Sequence, residues 1–244
     1  MSRFDDLRRL TSVDSTNRYL LDLARGGAPE GVVVVADFQT RGRGRRGRTW
    51  EAPPGAALLL SVLARPDPAA LPPERRWLLT AAMALAAADA CQAVAPATAG
   101  PPATAGPVEV KWPNDLLLSG AKLAGILAEA DASAVVIGLG VNLSWCPPGA
   151  AMLGHDVQRD DLLGEILTRL DGWWDRWPEV ADAYRRRCAT VGRRVRVSLA
   201  DREVLGRAAA VDPNGGLRVM IDTSAGDERE ETFLVGDVIH VTGP

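Results

Sequence analysis

The segment Thr40 to Arg48, TRGRGRRGR, interleaves Arg41, Arg43, Arg45, Arg46 and Arg48 with Gly42, Gly44 and Gly47. A guanidinium offers a planar fork of donors that grips phosphate or carboxylate oxygens in pairs, and glycine lets backbone approach a ligand or fold over it. The chemistry this suits is anion binding, although a nucleic-acid patch or a solvated basic loop presents the same run. Like charges and glycines also make such a loop costly to hold closed without an anion, which predicts a segment that orders over its ligand.

Two further segments carry polar side chains in suggestive places. In VEVKWPND a strand ends at Lys111 and Trp112, Pro113 forbids its continuation, and Asn114 and Asp115 fall in a turn, where they either satisfy the backbone or face a substrate. Lys122 opens the next strand, as a cation within reach of a ligand or as an ordinary exposed lysine. In VVIGLGVNLSW the alternation of a strand puts Gly138, Gly140 and Asn142 on one face. Two missing side chains there make room for something close, either a neighbouring helix or a flat small molecule.

The elements that must position these residues read as a strand-rich sheet layered with helices. Asp14 or Ser15 caps a short helix that carries Leu20, Leu23 and Ala24 on one face and stops at Gly26 and Gly27. GVVVVADF (31–38) and AALLLSVLA (56–64) are apolar runs suited to buried strands, and Pro72-Pro73-Glu74 introduces an Ala-rich helix. Three more strands are expected at 108–111, 121–130 and 134–143. The stretch 95–107 repeats ATAGP without a large apolar residue and is expected to be a surface loop. A helical stretch over 160–187 is expected to be broken by Pro178. Beyond Cys188 five short alternating segments, with PNGG as a tight turn, predict a small barrel.

Composition sets the limits. With 244 residues, 47% of them apolar, the chain can bury one sizeable core with a small satellite domain, and a formal charge of −3 disfavours a protein that coats nucleic acid. Cys91, Cys146 and Cys188 have no zinc-site spacing and read as reduced thiols. No signal peptide and no membrane-spanning apolar run is evident, so a cytoplasmic location without membrane association is expected.

Taken in order, Ser15-Thr16-Asn17, Gln39, GRGRRGR from Gly42 to Arg48 followed by Trp50, KWPND from Lys111, KLAGIL from Lys122, and GLGVN from Gly138 resemble the biotin–protein ligase family over nearly the whole chain. The resemblance implies an α+β fold, a mixed sheet layered with helices of the class II synthetase-like kind, over residues 1–188. A C-terminal SH3-like barrel would follow over 189–244. It implies ATP-dependent activation of biotin to biotinyl-5′-AMP, with magnesium, and transfer to a lysine of a biotin carboxyl carrier domain. A lipoate or octanoate ligase or transferase of the same architecture is the alternative.

Carried onto this sequence, the family roles place Ser15, Thr16, Asn17, Gln39, Gly42, Arg43, Lys122, Gly125, Gly138 and Gly140 around biotin. Arg45, Arg48, Trp50, Lys111, Asn114 and Asn142 surround ATP or the adenylate. Lys122, Arg43, Arg45 and Asp115 are the catalytic candidates, with Asp115 orienting or deprotonating the acceptor amine; the metal ligands are not indicated. The ligase segment begins about 15 residues from Met1, too few for a preceding domain, so no DNA-binding domain and no specific DNA recognition are expected.

Overall fold

In the computed structural model, which describes residues 2–94, 106–222, 228–234 and 236–241, the chain opens with a strand that its charged sequence conceals. β1 (Leu7–Val13) is half exposed and pairs in parallel with β2 (Val33–Gln39) at one edge of a sheet. A parallel pair requires a crossover, and α1 (Thr16–Arg25) supplies it. The remaining strands are antiparallel neighbours: β3 (Ala57–Ala64), β4 (Val108–Lys111), β5 (Asp115–Leu118), β6 (Ala121–Asp131) and β7 (Ala134–Asn142). The seven-stranded order is β1-β2-β3-β7-β6-β5-β4.

The continuous apolar runs of β2 and β3 are explained by burial on both faces. Val32 and Val34 pack under α1 with Leu20, Leu21 and Leu63, whereas Val33, Val35, Leu58 and Leu60 belong to the larger core on the other face. That core contains α2 (Trp77–Val94), α3 (Arg159–Trp173) and α4 (Trp177–Arg187). Among the described residues only the helix over Pro73–Val94 is long and apolar enough to cross a membrane, and 67% of its apolar window is buried in the protein.

Two expectations need correction, and a third is not tested. Asp115 is not a turn residue: it opens β5, which pairs with both β4 and β6. The helical stretch breaks before Pro178, at Asp175, whose φ of 65° is left-handed. Pro178 sits in the first turn of α4, where its missing N–H costs nothing. The loop expected at 95–107 lies, except for its last two residues, outside the described residues.

The second sheet is built from β8 (Arg194–Ser198), β9 (Glu203–Val211), β10 (Leu217–Asp222), β11 (Glu228–Phe233) and β12 (Asp237–His240), in the order β11-β10-β9-β8-β12. Alternating burial along β8 and β9 fits a small barrel-like domain with one face inward. In its PNGG turn, Asp212 Oδ1 accepts from the N–H groups of Asn214 and Gly216, both at 2.8 Å.

That turn docks on the first sheet. Trp112 Nε1 donates to Gly215 O at 2.8 Å and Trp77 Nε1 to Pro213 O at 3.2 Å. A Cβ on Gly215 would meet Trp77 Cγ at 2.5 Å, so glycine is what lets the turn approach the indole. Nearby, Ala189 N donates to Val110 O at 2.8 Å and Trp112 N to Thr190 Oγ at 3.1 Å.

Candidate active site

A cleft of about 540 Å³ opens where the Arg/Gly segment, the β4–β5 turn, the faces of β6 and β7, and β12 converge. Every residue to which a family role was carried lines it except Gly42 and Asn142. Gly42 lies at the base of the Arg/Gly segment, where its carbonyl accepts from Trp50 N at 3.1 Å. Asn142 is 2% exposed and its Nδ2 donates to Ala151 O at 2.8 Å, so its amide is committed to the backbone beyond β7 rather than turned to the cleft.

The floor at one end is a buried polar chain. Gln39 Oε1 accepts from Thr16 N at 2.8 Å and lies 3.0 Å from Thr16 Oγ. Ser61 Oγ lies 2.8 Å from Thr16 Oγ and 2.7 Å from Asn17 Oδ1. Its one hydrogen serves Asn17 Oδ1, which can only accept, so Thr16 donates to Ser61 or to Gln39 but not to both. Asn17 Nδ2 in turn donates to Leu127 O at 3.1 Å and to Glu129 Oε2 at 2.9 Å. Glu129 Oε1 is 2.8 Å from Arg43 Nη1.

The groups that hold these arginines, two carboxylates and an amide, are the protein's own. Arg43 pairs with Glu129, Arg45 Nη1 donates to Asn114 Oδ1 at 3.1 Å, and Arg46 and Arg48 both pair with Asp237 of the C-terminal sheet. Arg46 Nη1 also donates to Ser198 O at 3.0 Å. The loop closes on itself through Gly44 N to Arg48 O at 2.7 Å, with Arg46 at a left-handed φ of 57°. Burial pushes the Arg45 guanidinium below its ordinary range, opposed chiefly by the charge of Asp237.

On the opposite wall Asp115 stands between two lysines, Oδ1 2.7 Å from Lys122 Nζ and Oδ2 3.8 Å from Lys111 Nζ. Burial lowers the Lys111 ammonium, opposed by Asp115 and reinforced by the like charge of Lys122. Asn114 Nδ2 donates to Ile126 O at 2.7 Å and fastens the turn to β6.

Between these walls lies the Trp50 indole, with Lys122 Nζ 5.9 Å from its centroid. A Cβ on Gly140 would meet Trp50 Cε2 at 2.5 Å, and one on Gly125 would meet Trp50 Cζ3 at 3.0 Å. At Gly138 the neighbour is Asn17 Oδ1, at 2.2 Å. The room that the glycines were expected to leave for a ligand is thus taken by Trp50 and Asn17. Trp50 Nε1 is buried without an acceptor among the described residues.

The site therefore contains residues that the sequence did not single out. Ser61 had a signal, a lone hydroxyl inside the apolar run of β3. Glu129 had a weaker one, as a charge sharing its strand face with Gly125 and Leu127. Asp237 had none, because nothing local reveals that β12 reaches the arginines. Among the described residues no group of three or more His, Cys, Asp or Glu is placed to hold a metal ion.

Residues 10–142 match the biotin/lipoate A/B protein ligase family, and residues 190–241 match the biotin protein ligase C-terminal domain. The chain is 40% identical over 242 residues to a biotin–[acetyl-CoA-carboxylase] ligase of Mycobacterium tuberculosis, covering 93% of this chain and 86% of the relative. It is 33% identical over 231 residues to the corresponding ligase of Paracoccus denitrificans, covering 85% and 91%. The biotin protein ligase of Aquifex aeolicus in complex with biotin and ATP has the same fold, with a TM-score of 0.77 at 24% identity over 98% of this chain and 100% of that one.

Proposed function

The chain belongs to the biotin/lipoate A/B protein ligase family, and we infer that it activates biotin with ATP and transfers it to a lysine of a biotin carboxyl carrier domain. The observation that carries this reading is one cleft in which a neutral polar pocket, Thr16 with Gln39, adjoins a wall of fixed cations, Lys122, Lys111 and Arg45. A ureido group needs the first, and a carboxylate meeting a polyphosphate needs the second.

In the first half-reaction a biotin carboxylate oxygen attacks the α-phosphorus of ATP and the bond to pyrophosphate breaks. Two anions must meet, and Lys122, beside Gly125 and Trp50, offsets the charge that builds between them. Ser15, Thr16, Asn17, Gln39 and the Gly42–Arg43 backbone suit the ureido end, and Gly138 seats the Asn17 side chain. Arg45 and Arg48 suit phosphate oxygens. Trp50 Nε1, without an acceptor among the described residues, is a donor that a ligand acceptor would satisfy, and its ring is a surface for the adenine. Asn142 supports the adenylate side indirectly, by holding the backbone beside Lys122.

In the second half-reaction the acceptor amine attacks the anhydride carbon, AMP leaves, and a proton must leave the nitrogen. Asp115, between Lys111 and Lys122, is the carboxylate placed to orient that amine or take the proton. Magnesium is expected with ATP. The described residues offer it no cage, so phosphates and water would supply most of its ligands.

A catalytic part at 1–188 and a C-terminal part at 189–244 are supported by two sheets that share no strand and by a second family match beginning at residue 190. A cytoplasmic enzyme acting on a soluble carrier domain, without specific DNA or membrane contacts, fits the net charge of −3. The test is exchange of labelled pyrophosphate into ATP on adding biotin, followed by streptavidin detection of a biotin carboxyl carrier domain. Exchange driven by lipoate or octanoate and not by biotin would overturn the reading.

A further inference from the structure

We propose that Glu129 is a positioning residue for biotin activation, a carboxylate strut that sets Arg43 at the mouth of the polar pocket; the proposal rests on the ligase reading of that pocket. Glu129 lies on β6 with its side chain 17% exposed, and its two oxygens have different duties. One accepts from Asn17 Nδ2 at 2.9 Å, and the other holds Arg43 Nη1 at 2.8 Å.

An ion pair with a half-exposed arginine contributes little by itself. This carboxylate differs because its seat is fixed from inside the protein. Asn17 is 4% exposed, held by Ser61 Oγ and Leu127 O, and fits only because Gly138 has no side chain. Gly138, Asn17, Glu129 and Arg43 thus form a rigid series from the sheet to the loop. The same Asn17 joins through Ser61 to Thr16 and Gln39. A ligand pulling on Thr16 or Gln39 therefore acts on the group that places Arg43, and ordering of the pocket and of the first loop arginine become one event.

A residue that acts through Arg43 should lose its effect when Arg43 is gone. Glu129→Gln keeps the shape and removes the charge. We expect it to raise the KM for biotin in pyrophosphate exchange by roughly 3- to 10-fold with kcat within about twofold, and to change KM by less than about twofold in an Arg43→Ala background. Equal factors in the two backgrounds, no change in the first, or a fall in kcat at unchanged KM would each overturn the proposal.

Limited trypsin digestion gives a readout that needs no turnover. Cleavage after Arg43 should accelerate relative to cleavage after Arg48, which Asp237 holds, in Glu129→Gln and in Glu129→Asp, whose charge stops a methylene short. An unchanged ratio in both variants overturns the strut. A wild-type protein without biotin-dependent exchange would overturn the ligase reading, and the cleavage ratio would still decide the strut.

Discussion

Asp115 Oδ1 and Lys122 Nζ stand 2.7 Å apart across the β5–β6 ladder, at a bulge where the register shifts between Leu116 and Leu117. The bulge re-aims the strand beside the pair, and Lys122 reaches the cleft while remaining tied to a carboxylate. Lys122→Ala should lower biotin-dependent pyrophosphate exchange by roughly 100-fold or more, because in the proposed mechanism it removes the fixed charge facing the carboxylate and the phosphate. Exchange within about threefold of wild type at saturating biotin and ATP, with the melting temperature unchanged, would make the lysine structural.

Asp237 holds Arg46 and Arg48 but does not touch Arg43, whose carboxylate partner is Glu129. Asp237→Asn should therefore expose the far half of the loop selectively. Mass-spectrometric mapping of trypsin sites should show faster cleavage after Arg46 and Arg48 and little change after Arg43; uniform acceleration would mean that the whole loop behaves as one body.

A Cβ at residue 138 would lie 2.2 Å from Asn17 Oδ1, too close for any real contact. Gly138→Ala should displace Asn17, leave its buried hydrogen-bond partners short, and destabilise the fold by roughly 1–3 kcal/mol. Chemical denaturation reads the stability, and isothermal titration should show weaker biotin binding. A variant as stable as wild type with unaltered biotin affinity would contradict the packing.

Half-buried His240 lies 3.1 Å from Thr190 Oγ, and burial, with the charges of Lys111 and Arg193, pushes its imidazole down to about 4 from 6.5. Between those two values the unfolded chain binds a proton that the folded chain refuses, so this group's contribution to stability falls as pH drops from 6.5 towards 4. Allowing for partial solvent screening, the effect is on the order of 1 kcal/mol. His240→Gln should flatten the pH dependence of stability by that amount over this window, and parallel curves for the two proteins would exclude it.

Much of this was legible in the sequence. The buried strands 57–64 and 134–142 are written in apolar runs, the C-terminal sheet in alternation, and the cleft residues in three motifs whose side chains do converge. β1 was hidden because an edge strand carries charges at positions where a central strand would be apolar. The direction of Asn142 and the occupants of the glycine gaps were hidden for another reason. Alternation tells which face a residue shares and not which neighbour fills the space, and that neighbour came from α1 for Gly138 and from the Arg/Gly segment for Gly140. Asp237 lies 189 residues from Arg48, and no local pattern encodes such a pairing.

Trp112 has a consequence for how the protein is made. It is 2% exposed, and both of its nitrogen donors end on acceptors much later in the chain, the main-chain N–H on Thr190 and the indole on Gly215, 78 and 103 residues downstream. At about 5–20 residues per second, a ribosome would take roughly 5 to 20 s to add those residues. During that interval the nascent first sheet holds a tryptophan without those two acceptors, beside the turn that carries Asn114. The first sheet therefore completes the surroundings of Trp112 only near the end of translation, and a chain that stalls before Gly215 leaves the indole without its acceptor while Asn114 still fastens the turn to β6.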